Sequence, residues 1–218
     1  MPALIFDYDG LLADTEGLVA QVLIDVLAPR GVAATVESMA TFMGSTGPVN
    51  DALWEQWVRT HVGADADPNE LDAVAWEIIE ARRHEVPLCD GVVELLDAAD
   101  ANGWPIAIGT GTARAKAERH LTNMGIFHRF QAVVTAAEVA HGKPAPDIYL
   151  EVARRLEHDP ADCIVFEDSL PGYEAAIAAG MRVIVCPCSV TRYSIFPSDA
   201  QVVASLRDVD LAAPGRSR

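Results

Sequence analysis

"LIFDYDGLLADTE", residues 4–16, runs an apolar strand straight into two aspartates one residue apart, then a glycine, then a third aspartate. A short uniformly apolar run is what a strand buried on both faces of a parallel sheet looks like. Residues 3–7 are therefore expected to form such a strand, with Asp7 at its carboxyl end. From Thr15 the rhythm changes. Leu18, Val19, Val22, Leu23, Val26 and Leu27 recur at helical spacing, and Pro29 and Gly31 close the helix.

Further helices are expected near 36–43, 47–61 and 69–85, the last with Leu71, Val74, Ile78 and Ile79 on one face. Residues 15–86 thus read as all-helical. Trp54, Trp57 and Trp76 fall on apolar helix faces and read as packing residues. After "VPLCDG" helices alternate with strands: helix 91–101 and "WPIAIGT", helix 113–123 and "QAVVT", helix 146–157 and "CIVFED", helix 171–179 and "MRVIVC", then "AQVVAS". Such alternation implies right-handed crossovers and a parallel sheet. The fold class expected is α/β. The tail "AAPGRSR" reads as frayed.

In open parallel sheets, ligands bind outside the carboxyl ends of the strands. Asp7 ends one strand, Thr110 follows "PIAIG", and Glu167 and Asp168 follow "CIVF"; "HGKPAPD" adds Lys143. Four carboxylates gathered on one edge (Asp7, Asp9, Glu167 and Asp168) would repel unless some stayed protonated or a cation joined them. Oxygen-only ligands with open positions for water suit Mg²⁺. Lys143 adds a point cation. The Thr110 hydroxyl and the amides of Gly111 and Thr112, entering a helix, can donate to phosphate oxygens. A metal, a lysine and N–H donors in one place describe a phosphoryl-transfer centre. Asp7 would attack phosphorus and form an aspartyl phosphate. Asp9, two residues on, would serve as general acid and then base. Each piece has a plainer reading alone: "DxDG" as a turn, Thr110, Asp168 or Ser169 as a helix cap, Lys143 as a surface charge. Their order and shared sheet edge favour the chemical reading. The six histidines form no metal-type pair and read as structural or surface groups.

Composition narrows the partners. The chain has 218 residues and a formal net charge of −16. Nucleic acid and anionic membranes, which need basic patches, are disfavoured. Cys89, Cys163, Cys186 and Cys188 form no CxxC pair and suit reduced thiols in a cytoplasmic setting. No secretory n- and h-region opens the sequence, and no apolar run could span a bilayer.

Four motifs, "DYDGLLADTE", "IAIGTGTAR", "GKPAPDIY" and "VFEDSLPGYEAAIAAGM", come in the order found in the haloacid dehalogenase superfamily. The chain resembles its branch with a small helical cap, which includes β-phosphoglucomutase-like and sugar-phosphate phosphatase proteins. The resemblance implies a Rossmann-like core over residues 1–14 and 87–218, with a helical cap over 15–86. It also implies that Asp7 and Asp168 hold Mg²⁺ by side chain and Asp9 by its main-chain carbonyl. Glu167 would be a ligand or a ligand's support, and Thr110, Gly111 and Lys143 would hold phosphate.

Asp9 and the Glu167–Asp168 pair argue against the metal-free dehalogenases of the superfamily. The absence of lysine from 15–86 argues against the Schiff-base phosphonate-cleaving relatives. A phosphomutase of this branch resembles the chain too, but carries cap cations at positions matching Val19 and "GSTGP", 44–48, where none stands here. The cap has four arginines against twelve acids, a net charge of −8. The expected activity is Mg²⁺-dependent hydrolysis of a small sugar or polyol monophosphate. A β-phosphoglucomutase-type mutase is the alternative, with distal-phosphate cations such as Arg114 or Lys116 drawn from the core. A non-catalytic binder of phosphorylated metabolites comes second. The expected partner is a small phosphorylated metabolite, with no nucleic acid and no membrane, in a monomer or weak homodimer.

Overall fold

In the computed structural model, residues 1–40, 42–43 and 48–209 are described. Six parallel strands form one sheet: β1 (Ala3–Phe6), β2 (Ile106–Thr110), β3 (Ala132–Thr135), β4 (Cys163–Glu167), β5 (Arg182–Val185) and β6 (Gln201–Val202). Their order across the sheet is β3-β2-β1-β4-β5-β6. The chain therefore lays β2 and β3 on one side of β1 and then returns to lay β4 on the other. The carboxyl ends of β1 and β4 flank the switch point where such sheets open a crevice. In register, Phe6 sits opposite Ile108 on one side and Phe166 on the other.

All four residues of β1 are fully buried, as its uniform apolarity requires. Leu4 and Phe6 face one layer, with Leu95, Leu96 and Leu121 from α5 (Val92–Ala101) and α6 (Arg114–Asn123). Ala3 and Ile5 face the other, with Tyr149, Val152 and Ala176 from α7 (Asp147–Leu156) and α8 (Leu170–Ala178). The Phe6 and Phe166 rings stack 4.9 Å apart, adding aromatic contact to the burial.

Among the described residues, 15–86 hold helices and helical turns only: α1 (Thr15–Leu27), α2 (Val36–Met39), α3 (Pro48–His61) and α4 (Pro68–Arg82). Asp14 caps α1 by accepting from the Gly17 amide, and Gly31 ends the turn after it in the left-handed conformation. These helices share their own apolar cluster, with Val22, Leu27, Met39, Trp57 and Ile79 at its centre.

Three details of the helical reading change. The helix expected over 36–43 is α2, only Val36–Met39. On α4 the buried stripe is Leu71, Ala75 and Ile79, whereas Val74 is exposed. Trp54 and Trp57 are buried, but Trp76 is 44% exposed, its ring beneath Lys116 instead of in a core. Thr41, the 44–47 part of "GSTGP" and the 210–218 tail lie outside the described residues. The four cysteines are unpaired thiols. Among the described residues no helix is long and apolar enough to cross a membrane.

Candidate active site

Beyond the carboxyl ends of β1, β2 and β4 lies a cavity of about 170 Å³, to which Asp7, Asp9, Thr110, Gly111, Lys143 and Asp168 all contribute. Six of the seven residues expected from sequence thus line one space, although they come from four separate segments. Their convergence follows from strand order: Asp7 follows β1 directly, the strand ending at Phe6, one residue before the expected end; Thr110 ends β2, and Asp168 follows β4 directly. Lys143 arrives from the loop before α7.

Gly10 lets the Asp7–Asp9 turn close against Asp168. Its φ is +79°, a left-handed conformation, and a Cβ there would stand 2.1 Å from Asp168 Oδ2. Lys143 Nζ donates to Asp7 Oδ1 and, at 2.6 Å, to Glu167 Oε1. Burial dominates the titration of Asp7 and pushes it up to about 8; Lys143 opposes that rise and Glu167 adds to it. Asp168 is also pushed well above the carboxylate range, by burial first and then by the charges of Glu167 and Asp7. Its Oδ2 accepts from the Thr191 hydroxyl at 3.0 Å.

Glu167, expected as a metal ligand or its support, does not line the cavity. It is fully buried, and both of its oxygens are taken by the protein. Oε1 accepts from Lys143 and from the Tyr149 hydroxyl at 2.6 Å. Oε2 accepts from the Asp168 and Ser169 amides and the Ser169 hydroxyl, at 2.9–3.0 Å. Gly172, whose Cβ would fall 1.7 Å from Glu167 Oε1, leaves the carboxylate room at the start of α8. Burial alone would raise Glu167, but Lys143 and these hydrogen bonds outweigh it and hold the group ionised. Ser169, not Asp168, caps α8, its hydroxyl accepting from the Gly172 amide.

Asp9 is held by donors that the sequence did not reveal. Oδ1 accepts from the Thr15 hydroxyl at 2.6 Å and from Arg83 at 3.1 Å; Oδ2 accepts from the Thr112 hydroxyl. Arg83 is buried, in the turn that ends α4, so a cation from the helical segment reaches the site at a place other than those expected. The Thr112 amide, expected to serve a phosphate, donates instead to the Thr110 hydroxyl at 3.1 Å. Arg114 and Lys116 are committed elsewhere: Arg114 to Glu138 and the Val133 carbonyl, Lys116 to Glu80 at 2.6 Å. Behind the site, Tyr8 donates to His120 Nδ1 at 2.7 Å, while His120 Nε2 donates to the Val86 carbonyl at 2.8 Å. Both ring nitrogens of His120 are therefore structural.

Among the described residues, no three acidic, histidine or cysteine side chains converge as a ready metal cage. Of the carboxylates that line the cavity, two are buried, Asp7 and Asp168, beside a main chain able to offer carbonyls. This open, all-oxygen set with surplus negative charge fits Mg²⁺, which takes one or two protein carboxylates and keeps its waters.

The sequence matches the family described as "Hydrolase: haloacid dehalogenase-like hydrolase" over residues 1–180. It is 39% identical to "Fructose-1-phosphate phosphatase YqaB" of Escherichia coli, covering 83% of this chain and 94% of that protein. It is 32% identical to the "Bifunctional riboflavin kinase/FMN phosphatase" of Arabidopsis thaliana over 95% of this chain, but spans only 54% of that longer protein. Among solved structures, a HAD family hydrolase from Deinococcus radiodurans, with bound phosphate and sodium, superposes with a TM-score of 0.78 at 28% identity. That match covers 95% of this chain and 92% of the other.

Proposed function

The chain belongs to the haloacid dehalogenase-like hydrolase family, and from that premise we propose that it is a Mg²⁺-dependent phosphatase acting on a small phosphate monoester of the sugar or polyol class. One observation carries the reading: Asp7, Asp9, Asp168, Lys143 and the Thr110–Gly111 turn line a single cavity at the switch point of the sheet. A phosphatase-named relative at 39% identity supports the reaction class.

Asp7 is the nucleophile, and attack by its carboxylate forms an aspartyl phosphate. Burial disfavours its ionised form, so the cation facing it matters; Lys143, held by Glu167, supplies one charge. Lys143, the Thr110 hydroxyl and the Gly111 amide hold the transferring phosphoryl group. Asp7 and Asp168 by side chain, and Asp9 by its main-chain carbonyl, would hold Mg²⁺. When bound, the ion offsets the charge of the carboxylates and of the phosphate oxygens. Asp9 gives its proton to the leaving oxygen and then takes one from the attacking water. Both of its oxygens are accepting from Thr15, Arg83 and Thr112, so it must turn out of that cradle to act.

Residues 15–86 act as a cap over a core made of 1–14 and 87–218, joined by two chain crossings beside the site. The Cys89 amide donates to the Leu12 carbonyl at 2.9 Å, which ties the two crossings together. The cavity is small, and Glu16 is among the residues that line it. A second phosphate would meet that acid, which favours a monophosphate and hydrolysis over mutase chemistry. We place the enzyme in the cytosol, as a monomer or weak homodimer.

The test is phosphate release from a panel of sugar and polyol phosphates with Mg²⁺ and with EDTA. Release that needs Mg²⁺ and no bisphosphate activator supports the reading. Conversion of β-glucose 1-phosphate to glucose 6-phosphate faster than phosphate release would overturn it.

A further inference from the structure

Next to the candidate active site, and sharing Arg83 with it, a second cleft of about 300 Å³ opens where the end of α4 and the Arg83–Glu85 turn meet α6. Glu80, Arg83, His84, Lys116, Arg119 and His120 line it. In a chain of net charge −16, this is a local island of positive charge. His120 adds none, since Tyr8 and the Val86 carbonyl occupy both ring nitrogens. Glu80 is the one carboxylate lining the cleft, and Lys116 already holds it at 2.6 Å.

The arginines are left under-used. Arg83 is buried and spends one terminal nitrogen on Asp9. Its Nε lies 3.7 Å from Glu80 Oε1, within ion-pair reach, yet makes no hydrogen bond despite being buried. A buried donor without an acceptor is costly and marks a place where an acceptor belongs. Arg119 and His84 are exposed, and among the described residues no carboxylate lies within ion-pair distance of either. Two guanidinium forks, an ammonium and a ring N–H around one space outnumber the single acid. That set matches an anion with several oxygens arranged about one centre.

We propose that this cleft binds a phosphate dianion, free or carried by a small metabolite, which staples the end of α4 to α6. The ligand would accept from Arg83 Nε, Arg119 and Lys116, displacing Lys116 in part from Glu80. Because Arg83 also grips Asp9, occupancy would steady the helical segment beside the site. None of this depends on which reaction the site performs.

The test is titration calorimetry of the full chain with inorganic phosphate, and separately with glycerol phosphate, in EDTA at constant ionic strength. Arg119 and Lys116 do not line the first cavity, so phosphate held there would not respond to their replacement, and the variants assign binding to this cleft. Saturable one-site binding is expected, weakened about tenfold or more by Arg119→Glu and by Lys116→Met. Both positions are at least partly exposed, and circular dichroism checks their folding. Glu80→Gln removes the competing acid and is expected to tighten binding. Tighter binding of glycerol phosphate assigns the cleft to a phosphorylated metabolite, and equal binding assigns it to phosphate itself. Absent saturation, or equal affinity in the wild type and in the Arg119 and Lys116 variants, would overturn the proposal.

Discussion

Replacing Tyr149 with Phe removes one hydroxyl from the support beneath the site and almost nothing else. The ring is fully buried, and Phe keeps nearly all of its volume. Lys143 Nζ lies 4.9 Å from the ring centre, a contact the phenyl face retains. What is lost is one hydrogen bond of 2.6 Å to the ionised Glu167. Burial and the Glu167 charge keep the phenol protonated, so it is a donor throughout the working range. Hydrogen bonds to charged groups contribute about 1.5–3 kcal/mol. Glu167 keeps Lys143 and three donors at the start of α8. It is therefore not orphaned, and the loss should fall near the lower bound, about 1.5–2 kcal/mol. For a chain of this length that lowers Tm by roughly 3–8 °C. Urea unfolding measures it directly, with a lower midpoint at unchanged slope. A loss below about 0.5 kcal/mol would refute a hydroxyl bound to an ionised carboxylate. Glu167→Gln should cost more, about 3–5 kcal/mol, because it leaves Lys143 short of a buried counter-charge.

Gly10→Ala forces a Cβ to within 2.1 Å of Asp168 Oδ2 at a φ of +79°. The expected loss is about 1–3 kcal/mol in urea, and roughly a hundredfold or more in turnover, because Asp168 must move; wild-type kinetics would contradict the packing described. Burial alone would raise Glu138, but the Thr135 amide, Arg155 and Arg114 outweigh it and hold the carboxyl at about 2, below its ordinary 4.5. A depressed folded-state value stabilises above the unfolded value and fades as pH falls through the folded one. The stability gap between wild type and Glu138→Gln should therefore shrink from pH 5 towards pH 2, and a gap constant over that range would contradict the ion pairs.

Much of the core was legible because its signals are local. The apolar run of β1, the alternation after residue 87 and the polar residues at strand ends place Asp7, Thr110 and Asp168 by topology alone. Arg83 was not legible. It lies 74 residues from Asp9, and nothing local distinguishes it from Arg82 beside it, which is only half-buried. The scarcity of cap cations was the available signal, since each arginine there had few rivals. Tyr149 stood in a quoted motif, but a tyrosine among apolar helix residues reads as packing until its hydroxyl is seen on Glu167. Trp76 and Val74 were placed inward because hydrophobicity outweighs size in a helical pattern. The helix turned Ala75 inward, where a small side chain lets α4 approach its neighbours closely.

The most direct measurement is the covalent state of Asp7 during turnover. The enzyme is mixed with Mg²⁺ and a turned-over phosphate monoester, quenched in acid within the first turnover, digested and mapped by mass spectrometry. The expected result is one added phosphoryl group on the peptide bearing Asp7, labile to hydroxylamine and absent from Asp7→Asn, whose turnover is abolished. A phosphoryl group on another residue, or phosphate release by Asp7→Asn at near wild-type rate, would contradict nucleophilic Asp7.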